Sequence, residues 1–144
     1  LLIADEPVSM LDASLRMSLI NLFKSFVKQN PISIIYITHD LATAYYVSDR
    51  VGVMLKGRLV ELGGKDTIDK PFHPYTQILQ EAIPKLSSEE EKIIDLSKLE
   101  DDGLSEKGCE FAKRCPFVMD ICSNNEPEFF IVGERLVRCW LYNK

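Results

Sequence analysis

Two adjacent carboxylates, Asp5 and Glu6, close the apolar run Leu1-Leu2-Ile3-Ala4 and are followed by Pro7. Charges at the end of an apolar strand are costly unless a cation or a substrate meets them. In open parallel sheets, chemistry sits just beyond the carboxyl ends of the strands. The pair therefore reads as one carboxylate for a metal ion and one for a water nucleophile. The competing reading is an acidic residue that caps the next helix. A histidine, His39, follows a second apolar run, Ile32-Ser33-Ile34-Ile35-Tyr36-Ile37, within Thr38-His39-Asp40. Phosphoryl transfer from a nucleotide needs a metal ligand, a residue that orients or deprotonates water, and a donor near the γ-phosphate. Asp5, Glu6 and His39 are the right kinds of group for those roles, in that order.

A second set of reactive side chains lies late in the chain. Cys109, Cys115, Cys122 and Cys139 are the four cysteines, spaced C-x5-C-x6-C-x16-C. This is neither a pair of C-x2-C knuckles nor a ferredoxin run. The spacing suits zinc and a [4Fe–4S] cluster equally. Three disulfide pairings are possible but disfavoured without a secretory context. Unligated thiols in a small core are the bland alternative. Two features favour a ligand. The 36 residues from Cys109 onward hold few aliphatics, so a metal would help them fold. Lys113, Arg114, Arg135 and Arg138 also flank the thiols, where they could offset thiolate charge.

The elements that must position these groups follow from hydrophobic pattern. The opening run lacks polar alternation, which predicts a strand covered on both faces. Such a strand is central, and the chain lacks an initiator Met, so it reads as a C-terminal fragment. Pro7 to Asp12 predicts a turn, with Asp12 capping a helix that begins at Ala13. Leu15, Leu19, Leu22, Phe23, Phe26 and Val27 recur at helical spacing, and Asn30-Pro31 stops the helix. Residues 32–37 are a β-branched second strand, and strand–helix–strand order predicts a right-handed parallel crossover. A helix over Leu41 to Val47 follows. Residues 50–55 and 58–62 around Lys56-Gly57 predict a hairpin. A short helix spans Lys65 to Lys70. Another opens at Phe72-His73-Pro74-Tyr75-Thr76, runs through about Ile83 and stops at Pro84.

Bulk properties narrow the function classes. The chain has 144 residues, a net charge of −5 and a pI near 5.1, so there is no electrostatic case for nucleic acid. Between Lys85 and Gly108 stand eight acidic and four basic residues, which predict a solvated helix and linker. No apolar run reaches the length needed to span a bilayer.

These motifs together resemble the ATP-binding cassette (ABC) ATPases. Leu1 to Pro7 is similar to the Walker B strand, Ser9-Met10-Leu11-Asp12 to the D-loop, and Thr38-His39-Asp40 to the switch-histidine loop. Met10 stands where a small residue is more usual. Pro71-Phe72-His73-Pro74-Tyr75-Thr76 with the cysteine tail resembles the C-terminal extension of oligopeptide and dipeptide importer ATPases. The resemblance implies ATP as substrate, Mg²⁺ served by Asp5 through water, Glu6 as catalytic base, and His39 at the γ-phosphate. Asp12 would cross the interface to a second ATPase subunit. Some members of that family hold a [4Fe–4S] cluster on the matching cysteines, which favours a cluster over zinc here. His73 marks the family without carrying catalysis.

The implied fold is α/β, the C-terminal part of a P-loop ABC ATPase domain followed by a small irregular Cys-rich extension. Its expected divisions are 1–64 (ATPase part), 65–108 (helical segment and acidic linker) and 109–144 (extension). The 144 residues contain no G-x-x-x-x-G-K-[ST] loop and no Leu-Ser-Gly-Gly signature, so half of a catalytic site is expected outside them. The implied partners are a second ATPase subunit, two membrane permease subunits and, indirectly, a periplasmic or extracellular solute-binding protein. The implied location is the cytoplasmic face of the membrane. Two other readings compete: an ATPase of the same superfamily acting on DNA or ribosomes, and a metal-dependent regulatory module.

Overall fold

A computed structural model describes residues 1–82 and 107–143. The acidic linker, Ile83 and Pro84 lie outside the described residues. The chain divides into two compact units, Leu1–Asp49 and the residues from Arg50 onward.

In the first unit, β1 (Leu2–Asp5) pairs in parallel with β2 (Ile34–Ile37), with Leu2 opposite Ile34 and Asp5 opposite Ile37. The crossover is α1 (Ala13–Gln29), and α2 (Leu41–Val47) follows β2. Asp12 caps α1 as expected: one carboxylate oxygen accepts from the Ser14 and Leu15 N–H groups at 3.0 Å. Asn30 ends the helix, its side-chain amide on the Phe26 carbonyl at 2.9 Å. Ile20 and Ala4 are buried, and Phe23 meets Tyr36 edge-on at 6.0 Å. The expected two-sided cover of the strands is not supplied by the described residues: Ile3, Ile35 and Ile37 are exposed, as are Leu15, Leu22 and Phe26 of α1.

The second unit differs more from the sequence reading. The hairpin β3 (Val51–Leu55) and β4 (Arg58–Gly63) forms as predicted. Lys56 and Gly57 both take positive φ, +48° and +79°, the mirror-image turn whose twist matches two paired strands. The tail has a hairpin of its own, β5 (Phe130–Val132) and β6 (Arg135–Val137). β6 pairs with β4, giving one antiparallel sheet in the order β3-β4-β6-β5. The expected small irregular extension is thus corrected. The tail is an ordered half of a sheet whose other half was assigned to the ATPase part. Its shortage of aliphatics is met by sharing a core: Val60 of β4, Val137 of β6 and Phe111 are all buried.

Two short helices, α3 (Asp66–Asp69) and α4 (Pro74–Glu81), connect β4 to the tail, which also carries α5 (Asp120–Asn124). A fully buried carboxylate, Glu61 of β4, organises this region. It accepts from the Phe72 N–H at 3.0 Å and the His73 N–H at 2.9 Å, and lies 3.3 Å from Arg135 Nη1 of β6. The same guanidinium nitrogen donates to the Lys70 carbonyl at 2.7 Å, and the guanidinium stacks 3.7 Å above the Phe72 ring. Arg138 and Arg58 both bind Glu126, and Arg58 also binds Glu110. Arg135 and Arg138 therefore neutralise carboxylates, which corrects the expectation that they offset thiolates.

Glu61→Ala would leave a buried guanidinium without its counter-charge. It is expected to cost about 3–5 kcal/mol, as removal of one partner of a buried pair does. Denaturant unfolding followed by the fluorescence of Trp140, the single tryptophan, measures it. A loss near that of an exposed substitution would show that the pair is dispensable.

Candidate functional site

The first unit brings Glu6 and His39 together. Parallel pairing aligns the ends of β1 and β2, and the Glu6 N–H continues the ladder to the Ile37 carbonyl at 2.9 Å. Glu6 then takes φ +42°, a left-handed conformation uncommon for a non-glycine residue. The turn that follows is closed by the Ser9 hydroxyl on the Glu6 carbonyl at 3.0 Å. Glu6 Oε1 lies 2.9 Å from His39 Nδ1. The two are 33 residues apart in sequence and meet through the strand register. Both side chains are largely exposed, His39 at 77% and Glu6 at 46%, so a substrate could reach the pair directly.

Asp5 is the last residue of β1 and is exposed beside Glu6. Asp12 is engaged as a helix cap. Its carboxyl is held below the usual range by the Leu15 N–H and the Ser14 hydroxyl. Asp40, which the sequence reading passed over, plays the same part for α2, accepting from the Ala42 N–H at 2.9 Å and the Thr43 hydroxyl at 2.6 Å. Burial pushes the Asp40 carboxyl upward, but bonds from the Thr43 hydroxyl and nearby N–H groups outweigh it and the group titrates low. An acidic residue just before a predicted helix was the available signal. Arg16 connects the turn after Glu6 to the loop of His39: Nη2 donates to the Leu11 carbonyl at 3.3 Å, and Nη1 lies 3.9 Å from Asp40.

The second unit brings the four cysteines together. Cys109, Cys115, Cys122 and Cys139 all line one small cavity of about 10 Å³, with His73 and Phe111 in its wall. That volume is roughly one water molecule. The Cys109 N–H donates to the Cys122 carbonyl at 2.8 Å. Gly108 makes this approach possible: it takes φ +83°, and a Cβ there would strike the Cys122 carbonyl oxygen. All four are free thiols. Burial pushes the Cys109 and Cys115 thiols up, and Cys139 up to about 11. Among the described residues, no three His, Cys, Asp or Glu side chains form a ready metal site. The expected zinc or [4Fe–4S] centre is therefore not preformed. Four thiols on one cavity are the kind of donor such a group takes. The size of the cavity means the thiols must move outward to admit a cluster.

His73 is 1% exposed. Its Nδ1 accepts from the Tyr75 N–H at 3.1 Å and so caps α4. Burial lowers its pKa to about 4.

Residues 60–122 match the family model described as "Oligopeptide/dipeptide transporter, C-terminal region". The chain is 40% identical over 99% of its length to the oligopeptide transport ATP-binding protein AppF of Bacillus subtilis (strain 168), covering 45% of that protein. It is 37% identical over all of its length to the dipeptide transport ATP-binding protein DppD of the same organism, covering 44%. It is 36% identical over 96% of its length to the di/tripeptide transport ATP-binding protein DppF of Pseudomonas aeruginosa (strain UCBPP-PA14), covering 44%. The chain thus spans a little under half the length of these curated relatives. The resemblance read from its motifs is the one that these similarities give. No helix among the described residues is long and apolar enough to cross a membrane.

The buried His73 predicts a pH dependence. Folded His73 binds its proton near pH 4 and an unfolded histidine near 6.5. The unfolded state binds more protons between those values, so stability falls as pH drops from about 6.5 to 4, by up to roughly 3 kcal/mol. Comparing denaturant midpoints of wild type and His73→Asn across that window isolates this contribution. Parallel curves for the two proteins would show that His73 does not carry it.

Proposed function

We propose that this chain supplies part of the ATP-hydrolysing site of a peptide importer's ATP-binding subunit. The observation that carries the reading is the 2.9 Å contact between Glu6 and His39 at the carboxyl end of a parallel strand pair. Similarity to the ATP-binding proteins of oligopeptide and dipeptide transport supports it. In this reading Glu6 takes the proton of the attacking water. His39 orients Glu6 and meets the γ-phosphate. Asp5 holds a water of Mg²⁺, which would supply charge neutralisation at the phosphates. Asp12 lies at the interface with a second ATPase subunit while it caps α1. Two permease subunits would hold the assembly at the cytoplasmic face of the membrane and receive the closure of the ATPase pair. A solute-binding protein would deliver the peptide. The net charge of −5 disfavours the reading as an ATPase acting on nucleic acid.

The four thiols form the chain's metal-binding candidate within the same reading. Their convergence on one cavity supports it. A [4Fe–4S] cluster is the preferred occupant and Zn²⁺ the alternative, with a structural or redox-sensing role.

The general-base role gives a direct test. In a protein of the relatives' full length, Glu6→Gln is expected to slow ATP hydrolysis by about 10²–10⁴ while ATP binding persists. Turnover at the wild-type rate would overturn the reading. The purified 144-residue chain, which contains no phosphate-binding loop, is expected to show no robust turnover in a phosphate-release assay. The thiol reading has its own test. Anaerobic reconstitution with iron and sulfide is expected to give a brown protein with about four irons per chain. Equimolar zinc in the purified protein would sink the cluster assignment.

A further inference from the structure

Four cysteines allow three pairings, and the fold sets one pair apart. Cys109, Cys115, Cys122 and Cys139 are free thiols around one cavity of about 10 Å³. Cys109 and Cys122 share more than that cavity. The Cys109 N–H donates to the Cys122 carbonyl at 2.8 Å, and among the described residues no other two of the cysteines are joined by a backbone hydrogen bond. With standard covalent lengths, this bond keeps the two Cα atoms within about 6.7 Å of each other. Disulfides span Cα separations of roughly 4.4–6.8 Å.

The approach is built into the backbone. Gly108 takes φ +83°, and a Cβ there would lie 2.3 Å from the Cys122 carbonyl oxygen and 2.8 Å from the Ser123 carbonyl. Only glycine fits, so the two segments pack backbone to backbone. Cys122 lies on α5, where the Met119 carbonyl accepts its N–H at 2.9 Å. Cys109 opens a tight turn, its carbonyl accepting from the Ala112 N–H at 3.0 Å. The two thiols differ in access: Cys109 is partly exposed, whereas Cys122 is 7% exposed.

We propose that Cys109 and Cys122 are a modification site, a dithiol that closes to a disulfide with a small hydroperoxide as oxidant. Cys109, the accessible member, reacts first. Its sulfur attacks the O–O bond: an S–O bond forms, the O–O bond breaks, and the thiol proton leaves with the alcohol. The product is a sulfenic acid. The Cys122 sulfur then attacks the Cys109 sulfur, the S–O bond breaks, and the Cys122 proton leaves in water. Two thiols lose two electrons together, and the hydroperoxide becomes alcohol and water. The disulfide takes two of the four thiols, so it excludes ligation of one metal centre by all four. That consequence rests on the reading of the thiols as ligands. The pairing does not.

Burial keeps the Cys109 thiol neutral and slows the first step, so products are read at completion. The full chain is reduced, freed of metal and oxidised with tert-butyl hydroperoxide. Remaining thiols are blocked with iodoacetamide, and trypsin with Asp-N puts each cysteine on its own peptide. Mass spectrometry is expected to find the Cys109–Cys122 link at least about tenfold above any other pairing. The same oxidation in guanidinium chloride is expected to give mixed pairings. Cys109 joined mainly to Cys115 or Cys139, four thiols left free, or the same mixture with and without denaturant would each overturn the proposal. In Cys122→Ser, dimedone is expected to capture the Cys109 sulfenic acid. Its absence there would overturn the order of the two steps. A Co²⁺ titration read by thiolate charge-transfer absorption gives the metal arm. The reduced chain is expected to bind, the oxidised chain to bind at least about 100-fold more weakly, and dithiothreitol to restore binding. Equal affinities would overturn the mutual exclusion. Absent absorption in the reduced chain defeats the reading of the thiols as ligands, and the linked peptides still decide the pairing.

Discussion

A carboxylate with no exposed surface makes demands that a sheet alone does not meet. Ionised Glu61 must find a donor for each oxygen and a positive charge close by, or the desolvation cost dominates. Phe72 and His73 supply N–H donors to separate oxygens, and Arg135 supplies the charge. Each partner comes from a different stretch, so meeting that demand fixes three stretches at once: β4, the entry to α4, and β6. Arg135 is constrained in turn. It is 6% exposed and spreads its donors over Glu61, the Asp66 and Lys70 carbonyls and the Asp66 carboxylate. Its flat face lies on Phe72, where a desolvated guanidinium gains from the ring quadrupole. Buried pairs of this kind seldom exceed a well-packed apolar replacement in stability. What this one supplies is a tie between strands, since Glu61 of β4 meets Arg135 of β6 where Glu61 pairs with Val137.

The Glu6–His39 pair shows the opposite regime. Its 2.9 Å contact sits in water, where an exposed ion pair contributes little to stability. Its geometry is nevertheless set by features unrelated to the contact. The parallel register brings Asp5 level with Ile37, Glu6 leaves the strand with a left-handed turn, and Asp40 caps α2 immediately after His39. A site whose members are placed by strand ends and helix caps keeps its shape without relying on its own attraction. That leaves the carboxylate free to take a proton and the imidazole free to meet an anion. Excluding water would raise the strength of both interactions several-fold, as for any charge moved to lower effective dielectric.

Local signals in the sequence located most elements. α1 begins where Asp12 precedes it, and the Lys56-Gly57 turn opens the β3–β4 hairpin. The meeting of Glu6 and His39 was legible because parallel strand ends converge by topology, whatever the side chains between them. The β4–β6 pairing was not legible. Its partners lie about 75 residues apart, as with Glu61 and Val137, and the strand of β6 is three residues long, too short for a periodic pattern. Arg135 and Arg138, close to Cys139 in sequence, misled. Proximity in sequence suggested thiolates as their partners, whereas the folded chain gives them carboxylates.

The thiol cavity combines these two regimes. Burial favours the neutral thiol, and the nearness of the four sulfurs makes each further ionisation harder. With Arg135 and Arg138 committed to Glu61 and Glu126, those two charges are not available to stabilise thiolates. A cation entering the cavity would have to displace protons, so its affinity would climb steeply with pH. The wall it met would be held mainly from outside: by Gly108 against the Cys122 backbone, and by Phe111 under the two aromatic side chains of the α4 start. The second of these links begins at Glu61, which accepts from the His73 N–H. A change that loosens the buried carboxylate therefore reaches the cavity wall by way of His73 and the Phe111 ring it packs on.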